Sequence, residues 1–422
     1  MRVFFLTDGS DLEGVEKLED IKHIKVVKWT LTSLSSWPHP PHRRRRAYVE
    51  QFFLNLQSFL CIPFIVIYLL RNTGKKDFFR MGHVWITFFM NIVASTRLLL
   101  PLTKNYQTLT KSFIEELHLF YHRHTSEYSM KIHLEIHKLS HFFTMYLTGM
   151  MVGGIVLFNA TPLANNIFSG AFKKDKPPDL EFEHAVYYGL PFDSETKYSG
   201  YIPVFLYNWF ISYFCSSCFC IYDLILSLLI FHLWGHLKIL NYNMRTFPRP
   251  GCVAPHIKDT SRLRYDDEEM VIVGRMLREQ IDYHRFISDF SDRMSATFGP
   301  MLAIYYSFHQ VSGCLLLLEC SQLDADALIR YGPLTVILFQ QLIQLSIVFE
   351  LIGSSSEKLK DSVYSMPWEC LDDKNRKILL LFLKKVQTPI HLKAMGIADI
   401  GVQTMAGIIK TSLSYFAFLR SK

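Results

Sequence analysis

The sequence carries no catalytic signature. Nowhere in its 422 residues is there a GxSxG elbow, an HExxH pair, a Walker loop or a Gly-rich phosphate loop. Nucleophilic, metalloprotease and nucleotide chemistry therefore lack a starting point, and neither an enzyme nor a cofactor is expected. Paired cysteines are also missing: the eight Cys show no spacing that suggests a disulfide framework,. Cys215, Cys218 and Cys220 cluster inside an apolar stretch, where small buried thiols far outnumber metal ligands,. His232 and His236 stand four apart with no third ligand in view, which reads as an interfacial pair rather than a metal site,. The net charge of +7 is mild and local, so no nucleic-acid partner is expected. Residues 1–35 are charged and lack an apolar core with a small-residue cleavage site, so no cleavable signal peptide is expected,.

What the chain has in abundance is apolar sequence. Half of it is hydrophobic, 14% is aromatic, and the mean hydropathy is +0.14. A bilayer core of ~30 Å needs about 20 apolar residues in a helix rising ~1.5 Å per residue. Seven segments qualify, at about Phe52–Leu70, Met81–Leu100, His141–Phe158, Ile202–Ile230, Thr297–Leu318, Tyr331–Ile352 and Gly396–Leu419. The fold class is thus all-α, a seven-transmembrane-helix protein whose partner is the lipid bilayer. Leu134, Ile136 and Leu139 extend the third span inward, and Met276, Ile281, Phe286 and Phe290 lead into the fifth at helical spacing,.

Lys and Arg asymmetry sets the orientation. Arg43–Arg46 precede the first span, and eight Lys/Arg lie between Glu357 and Lys393, ahead of the seventh. Both suit a cytoplasmic N-terminus and an extracellular C-terminus, although Arg71, Lys75, Lys76 and Arg80 would then face outward. The expected domains are a cytoplasmic N-terminal region (1–51), six spans with cytoplasmic helix extensions and an outer pocket (52–354), a cytoplasmic anchor region (355–395) and the seventh span (396–422). Asn159 to Tyr201, with Pro162, Pro177, Pro178, Gly189 and Pro191, reads as an irregular outer loop,. Asn159-Ala160-Thr161 at its start is a glycosylation sequon followed directly by Pro162,. Asp372 and Asp373 cap a helix through Lys374–Gln387, whose Ile378–Leu383 core is too apolar to face water and should pack on other helices,.

Three features suggest function. Asp223 lies within the fourth span, where an acid either works or makes a structural hydrogen bond to a neighbouring helix,. Aromatic side chains crowd the outer and middle parts of the spans: Trp85, Phe88 and Phe89; Tyr146 and Met150; Phe205, Trp209 and Tyr213; Tyr305, Tyr306 and Phe308 beside His309; and Phe339. An interfacial belt explains the outermost of these, while the deeper ones suit the walls of a small-molecule pocket. Asp399, Gln403, Gly407, Lys410, Ser414, Phe418 and Ser421 follow at steps of three or four, a polar stripe along the last helix,. Such a stripe faces either another protein surface or water, and several copies around an axis would enclose a conduit with Phe418 at a constriction.

The run QTPIHLKAMG from Gln387, then SYFAFLRSK with Ser414-Tyr415-Phe416, resembles the C-terminal signature of insect odorant receptors. Tyr364 and Trp368 in DSVYSMPW match another stretch usual in that family, and His232–Pro250 resembles the region after span four in moth members. No Asp-Arg-Tyr follows span three and no Asn-Pro-x-x-Tyr sits in span seven, as a rhodopsin-type receptor would have. The Gln-Phe pair usual in gustatory receptors is lacking. A seven-helix G-protein-coupled or gustatory-type chemoreceptor is the alternative reading. The resemblance implies a ligand-gated, non-selective cation channel subunit in the plasma membrane of a sensory dendrite, forming a heterotetramer with a co-receptor. It implies a hydrophobic volatile bound between spans two and six, assembly through the cytoplasmic region that holds Tyr364, Trp368, Leu380 and Leu383, and a pore lined by Gln403, Lys410 and Ser414. Phe418 then takes the gate position, and Ser421 the outer mouth formed by the helix tips.

Overall fold

The computed structural model describes residues 5–38, 44–76, 78–173, 176–177, 180–253, 263–320, 325–396 and 398–420. Long helices dominate. In chain order they are α1 (Lys22–Ser33), α2 (Arg44–Asn72), α3 (Phe78–Leu99), α4 (Lys104–Ser112), α5 (Glu127–Phe168), α6 (Tyr198–Arg245), α7 (Asp267–Cys320), α8 (Ala325–Tyr364), α9 (Asp373–Val386) and α10 (Val402–Arg420). Six of them, α2, α3 and α5 to α8, are long and apolar enough to cross a membrane; α10, at 19 residues, takes the place of the seventh expected span. At ~1.5 Å per residue the 54 residues of α7 reach about 80 Å, so it continues well past a bilayer,. The same holds for α5 and α6, at 42 and 48 residues.

Local chemistry explains where elements begin. The Ser126 hydroxyl accepts the Ser129 amide and starts α5,. Asp372 does the same for Asn375 at the head of α9, as its position ahead of Lys374 predicts. Pro63, Pro162, Pro203, Pro300 and Pro333 lie inside helices, which membrane helices tolerate because neighbours satisfy the freed carbonyls.

α6 is the central post, packed along α5 and α8 and against α3 and α7. From Cys218 to Leu237 almost every side chain is buried in the main core. Gly235 permits its close pass: a Cβ there would meet Leu119 Cδ1 at 2.5 Å. The N-terminal region is part of the same body, since Ile21, Ile24, Val27, Leu31 and Leu34 are buried in that core. α10 packs on α7 and α8, where Gly313 lets Ser412 Oγ approach to 3.2 Å of the Cβ position.

Two boundaries differ from the sequence reading. Residues 159–168 are helical rather than loop, because α5 runs through Pro162 to Phe168. Asn159 is therefore helical and buried, its amide donating to the Ile155 carbonyl at 2.8 Å. The last helix starts at Val402, not Gly396; a two-residue hairpin, β1 (Lys393–Ala394) paired with β2 (Ala398–Asp399), precedes it. Asp399 thus belongs to β2 rather than to the helical stripe.

Candidate ligand cavity

A cavity of about 200 Å³ lies among α3, α5, α6, α7 and α8, under the segment that joins α5 to α6. Small and polar residues make the space. α3 contributes His83, Thr87, Met90 and Asn91 at helical spacing; α5 brings Met150, Gly154, Leu157 and Phe158; α6 adds Ser212, Cys215, Ser216, Phe219 and Cys220. Phe308 comes from α7, and Pro333, Leu334, Ile337, Leu338 and Gln341 form one face of α8,. Glu183, His184, Val186 and Tyr187 close the loop side.

That loop is fastened at several points. Lys76, between α2 and α3, pairs with Glu195 at 2.6 Å and Glu181 at 2.9 Å. Burial opposes the charge, but the two carboxylates win and hold the ammonium pKa above its ordinary value,. Arg71 donates to the Leu190 carbonyl, so two of the basic residues that break the charge pattern hold down an acidic loop. Asn166 donates to the Glu183 carbonyl and accepts its amide, at 2.9 and 2.8 Å. His83 Nε2 donates to the Ala185 carbonyl at 2.7 Å, and His184 Nε2 to that of Ser194 at 2.9 Å. Burial lowers the His184 pKa, with the Ser194 carbonyl partly opposing, so this imidazole is neutral near pH 7.

Below the cavity sits a buried ionic knot. Phe219 and Phe308 meet there with centroids 5.5 Å apart. Beneath them the fully buried Arg97, near the end of α3, pairs with Asp223 of α6 at 2.8 Å. Its Nη1 donates to the carbonyls of Cys218 and Phe219, both at 2.9 Å. Tyr305 donates to the other Asp223 oxygen at 3.3 Å, its ring lying 4.4 Å from the guanidinium carbon. Asp223 thus has a partner on a neighbouring helix. The sequence reading named the acid but passed over Arg97.

Most of the aromatic side chains expected to wall a pocket lie outside this cavity. Met150 and Phe308 line the cavity. Tyr305, Tyr306 and His309 are buried in the knot layer beneath it. Outside it Phe89 stacks on Trp85, and Phe88 meets both edge to face. Phe205 packs with Tyr201 and Trp209, the Tyr213 hydroxyl donates to Ser33, and Phe339 sits by Gly313 near α10. Tyr146 stacks on Phe142. The physical reason is volume: bulky rings fill space, and the opening forms where Gly154, Cys215 and Ser216 leave it unfilled. The signal that would have found it is the small and polar face shared by α5 and α6.

In α10, Gln403, Gly407, Lys410, Ser414 and Phe418 are all exposed in the single chain, while Ile408 and Ser412 pack inward. Ser421 lies outside the described residues. In α9, Leu379 and Phe382 are buried, Leu383 is half-buried, and Leu380 and Leu381 are 65% and 69% exposed. Tyr364 and Trp368 are exposed as well. His232 accepts the Leu119 amide at Nδ1, and His236 donates to the Leu117 carbonyl. Among the described residues no three His, Cys, Asp or Glu side chains are arranged to hold a metal ion.

A bundle of long apolar helices around a mostly apolar cavity is the architecture of a membrane protein, with that cavity as its candidate small-molecule site,. The 7tm Odorant receptor family profile matches residues 80–413, and the chain belongs to that family. It is 26% identical over 152 residues to odorant receptor 85c of Drosophila melanogaster, covering 35% of this chain and 38% of that one. It is 25% identical over 232 residues to odorant receptor 10a of the same fly, covering 53% and 50%. The chain spans half or less of the length of these curated relatives. The fold matches the olfactory receptor OR5 of Machilis hrabei with a TM-score of 0.73 at 15% identity, over 94% of this chain and 97% of that one. The same receptor solved in complex with eugenol matches at 0.74 and 14%, over 95% and 98%.

Proposed function

We propose that this chain is the odorant-detecting subunit of a ligand-gated, non-selective cation channel. It binds a small hydrophobic volatile in the cavity and assembles with a co-receptor as a heterotetramer in the plasma membrane of a sensory dendrite. The observation that carries the reading is the cavity of about 200 Å³ walled by α3 and α5 to α8. The eugenol complex of the Machilis receptor supports a volatile ligand of that order. Ligand free energy acts by favouring the open arrangement, so no covalent step is required. α7 carries Phe308 on the cavity and Gln310, whose amide donates to Ser412 of α10 at 3.3 Å; this supports a direct mechanical route from pocket to terminal helix. The exposed stripe Gln403–Phe418 supports a pore face, and the bare Leu380 and Leu381 support a subunit contact in the anchor region. The Lys/Arg asymmetry favours a cytoplasmic N-terminus and an extracellular C-terminus.

The test is whole-cell recording with a panel of volatiles, with and without the co-receptor. Ligand-evoked cation current that needs both chains and persists when G-protein signalling is blocked is expected. Current lost on that block, together with a C-terminal tag unlabelled on intact cells, sinks the reading in favour of a G-protein-coupled receptor.

A further inference from the structure

The cavity is polar at both ends, but at the cap His83, Glu183 and His184 are already bonded to the protein. His83 and the loop residues 183–187 mark its capped end. Asn91 lies eight residues further along α3, and Gln341 eight residues beyond Pro333 on α8, each about 12 Å deeper at ~1.5 Å per residue,. Both amides therefore line the deep end, among Met150, Phe219 and Phe308.

Their hydrogen bonding is unequal. Asn91 is buried, and its Nδ2 donates to the Thr87 carbonyl at 2.9 Å. Its Oδ1 meets only the Cys215 thiol, at 3.8 Å, a weak donor. Gln341 is half-buried and makes no hydrogen bond to any described residue. An amide facing an apolar cavity is disfavoured unless something completes its bonds. The Gln341 amide N–H donors and the under-used Asn91 carbonyl line the same cavity. A cavity of ~150 Å³ takes benzene, so this one suits a molecule of roughly seven to ten heavy atoms.

We propose that the deep end binds the hydroxyl of a small aliphatic alcohol. Gln341 Nε2 donates to the ligand oxygen and the ligand O–H donates to Asn91 Oδ1. The hydrocarbon tail lies toward Leu157, Phe158 and Val186 near the cap. A carbonyl uses only the first of these bonds and a hydrocarbon neither, so Gln341 is the specificity-determining residue and Asn91 the second selector. The inference rests on the reading of the cavity as the ligand site.

The experiment compares 1-octanol, octanal and octane as ligands of the purified full chain with its co-receptor, by competition against a fluorescent apolar probe. Wild type is expected to prefer 1-octanol to octane by about a hundredfold, two hydrogen bonds between neutral groups at roughly tenfold each, with octanal about tenfold above octane. Gln341→Leu abolishes the octanal–octane gap and shrinks the 1-octanol–octane gap to about tenfold while octane binding is kept or improved, an outcome that loss of fold does not imitate. Asn91→Ala brings 1-octanol down to octanal and leaves the octanal–octane gap unchanged. A Gln341→Leu protein in which neither gap shrinks, or a wild type that binds all three equally, overturns the inference and leaves the cavity reading standing. A wild type that binds none of them, with a Gly154→Phe block making no difference to the probe, overturns both.

Discussion

The cavity layer and the terminal helix differ in how far one chain completes them. Around the cavity, α6 is sheathed by α3, α5, α7 and α8, and even its acid is met inside the chain by Arg97. In α10 a single face packs, through Ile408 and Ser412, while Lys410, Ser414 and Phe418 are exposed. α9 is divided in the same way between Phe382 and Leu380. The contrast teaches that the cavity is an intramolecular object, whereas the terminal and anchor helices present surfaces that make sense in an assembly. Substitutions in the two regions should then fail in different ways.

The largest effect is expected at the knot. Arg97→Leu leaves Asp223 as a buried uncompensated charge, which costs about 3–5 kcal/mol, so folded protein should be lost even when the chain is expressed alone. The double variant Arg97→Leu with Asp223→Leu should recover much of it, read by monodisperse yield and melting temperature. A single variant as stable as wild type would break the comparison on the intramolecular side. Next comes Leu380→Asp with Leu383→Asp. If these helices pair with another subunit, an unpaired charge buried there costs several kcal/mol, roughly, and co-purification with the co-receptor should vanish. The cavity should still bind probe, and loss of both together would merge the two regions.

The third prediction concerns pH. His23 and His118 are buried on the N-terminal side of the core, and burial first, with neighbouring imidazoles second, holds both pKa values well below the ordinary 6.5. A lowered histidine pKa means stability that is present above about 6.5 and lost as pH falls toward the folded value, by up to ~1.4 kcal/mol per unit per group. The melting temperature should drop between pH 7 and pH 5, and less steeply in His23→Leu. Smallest is the effect at Phe418, which is 55% exposed. Phe418→Ala should raise the ligand-free current modestly, since one ring among several subunits is relaxed. Cysteines at Ser414 and Phe418 should react with aqueous thiol reagents faster than one at Ile408, and equal rates would return α10 to a packing role.

Much of this architecture is legible in the sequence, because length and hydropathy govern spans and Asp372 governs a cap. The helical extension before His141 follows from Leu134, Ile136 and Leu139, whose spacing persists without any bilayer. The cavity is less legible in the sequence, for a physical reason. Hydrophobicity reports burial, and a cavity is the absence of burial, so Trp85 and Tyr305 drew the eye while Gly154, Cys215 and Ser216 made the space. Arg97 was missed because a cation in the last turn of a span reads as an interfacial anchor, and only the tertiary fold brings Asp223 to it. The helical course through Pro162 was missed because proline signals a break in water, whereas α5 continues across it here.

Arg97 also has a history to live through before it is comfortable. The carbonyl of Cys218 that it holds belongs to a residue made 121 positions later. At about 5–20 residues per second that is a wait of roughly 6–24 s during synthesis. α3 must therefore be delivered to the bilayer carrying a cation whose counter-ion does not yet exist. Its place in the final turn makes the delay bearable, because a long side chain there can reach the polar interface. When α6 arrives the guanidinium can turn inward, and the arrangement of the two spans is then set by a late arrival rather than by the order of insertion.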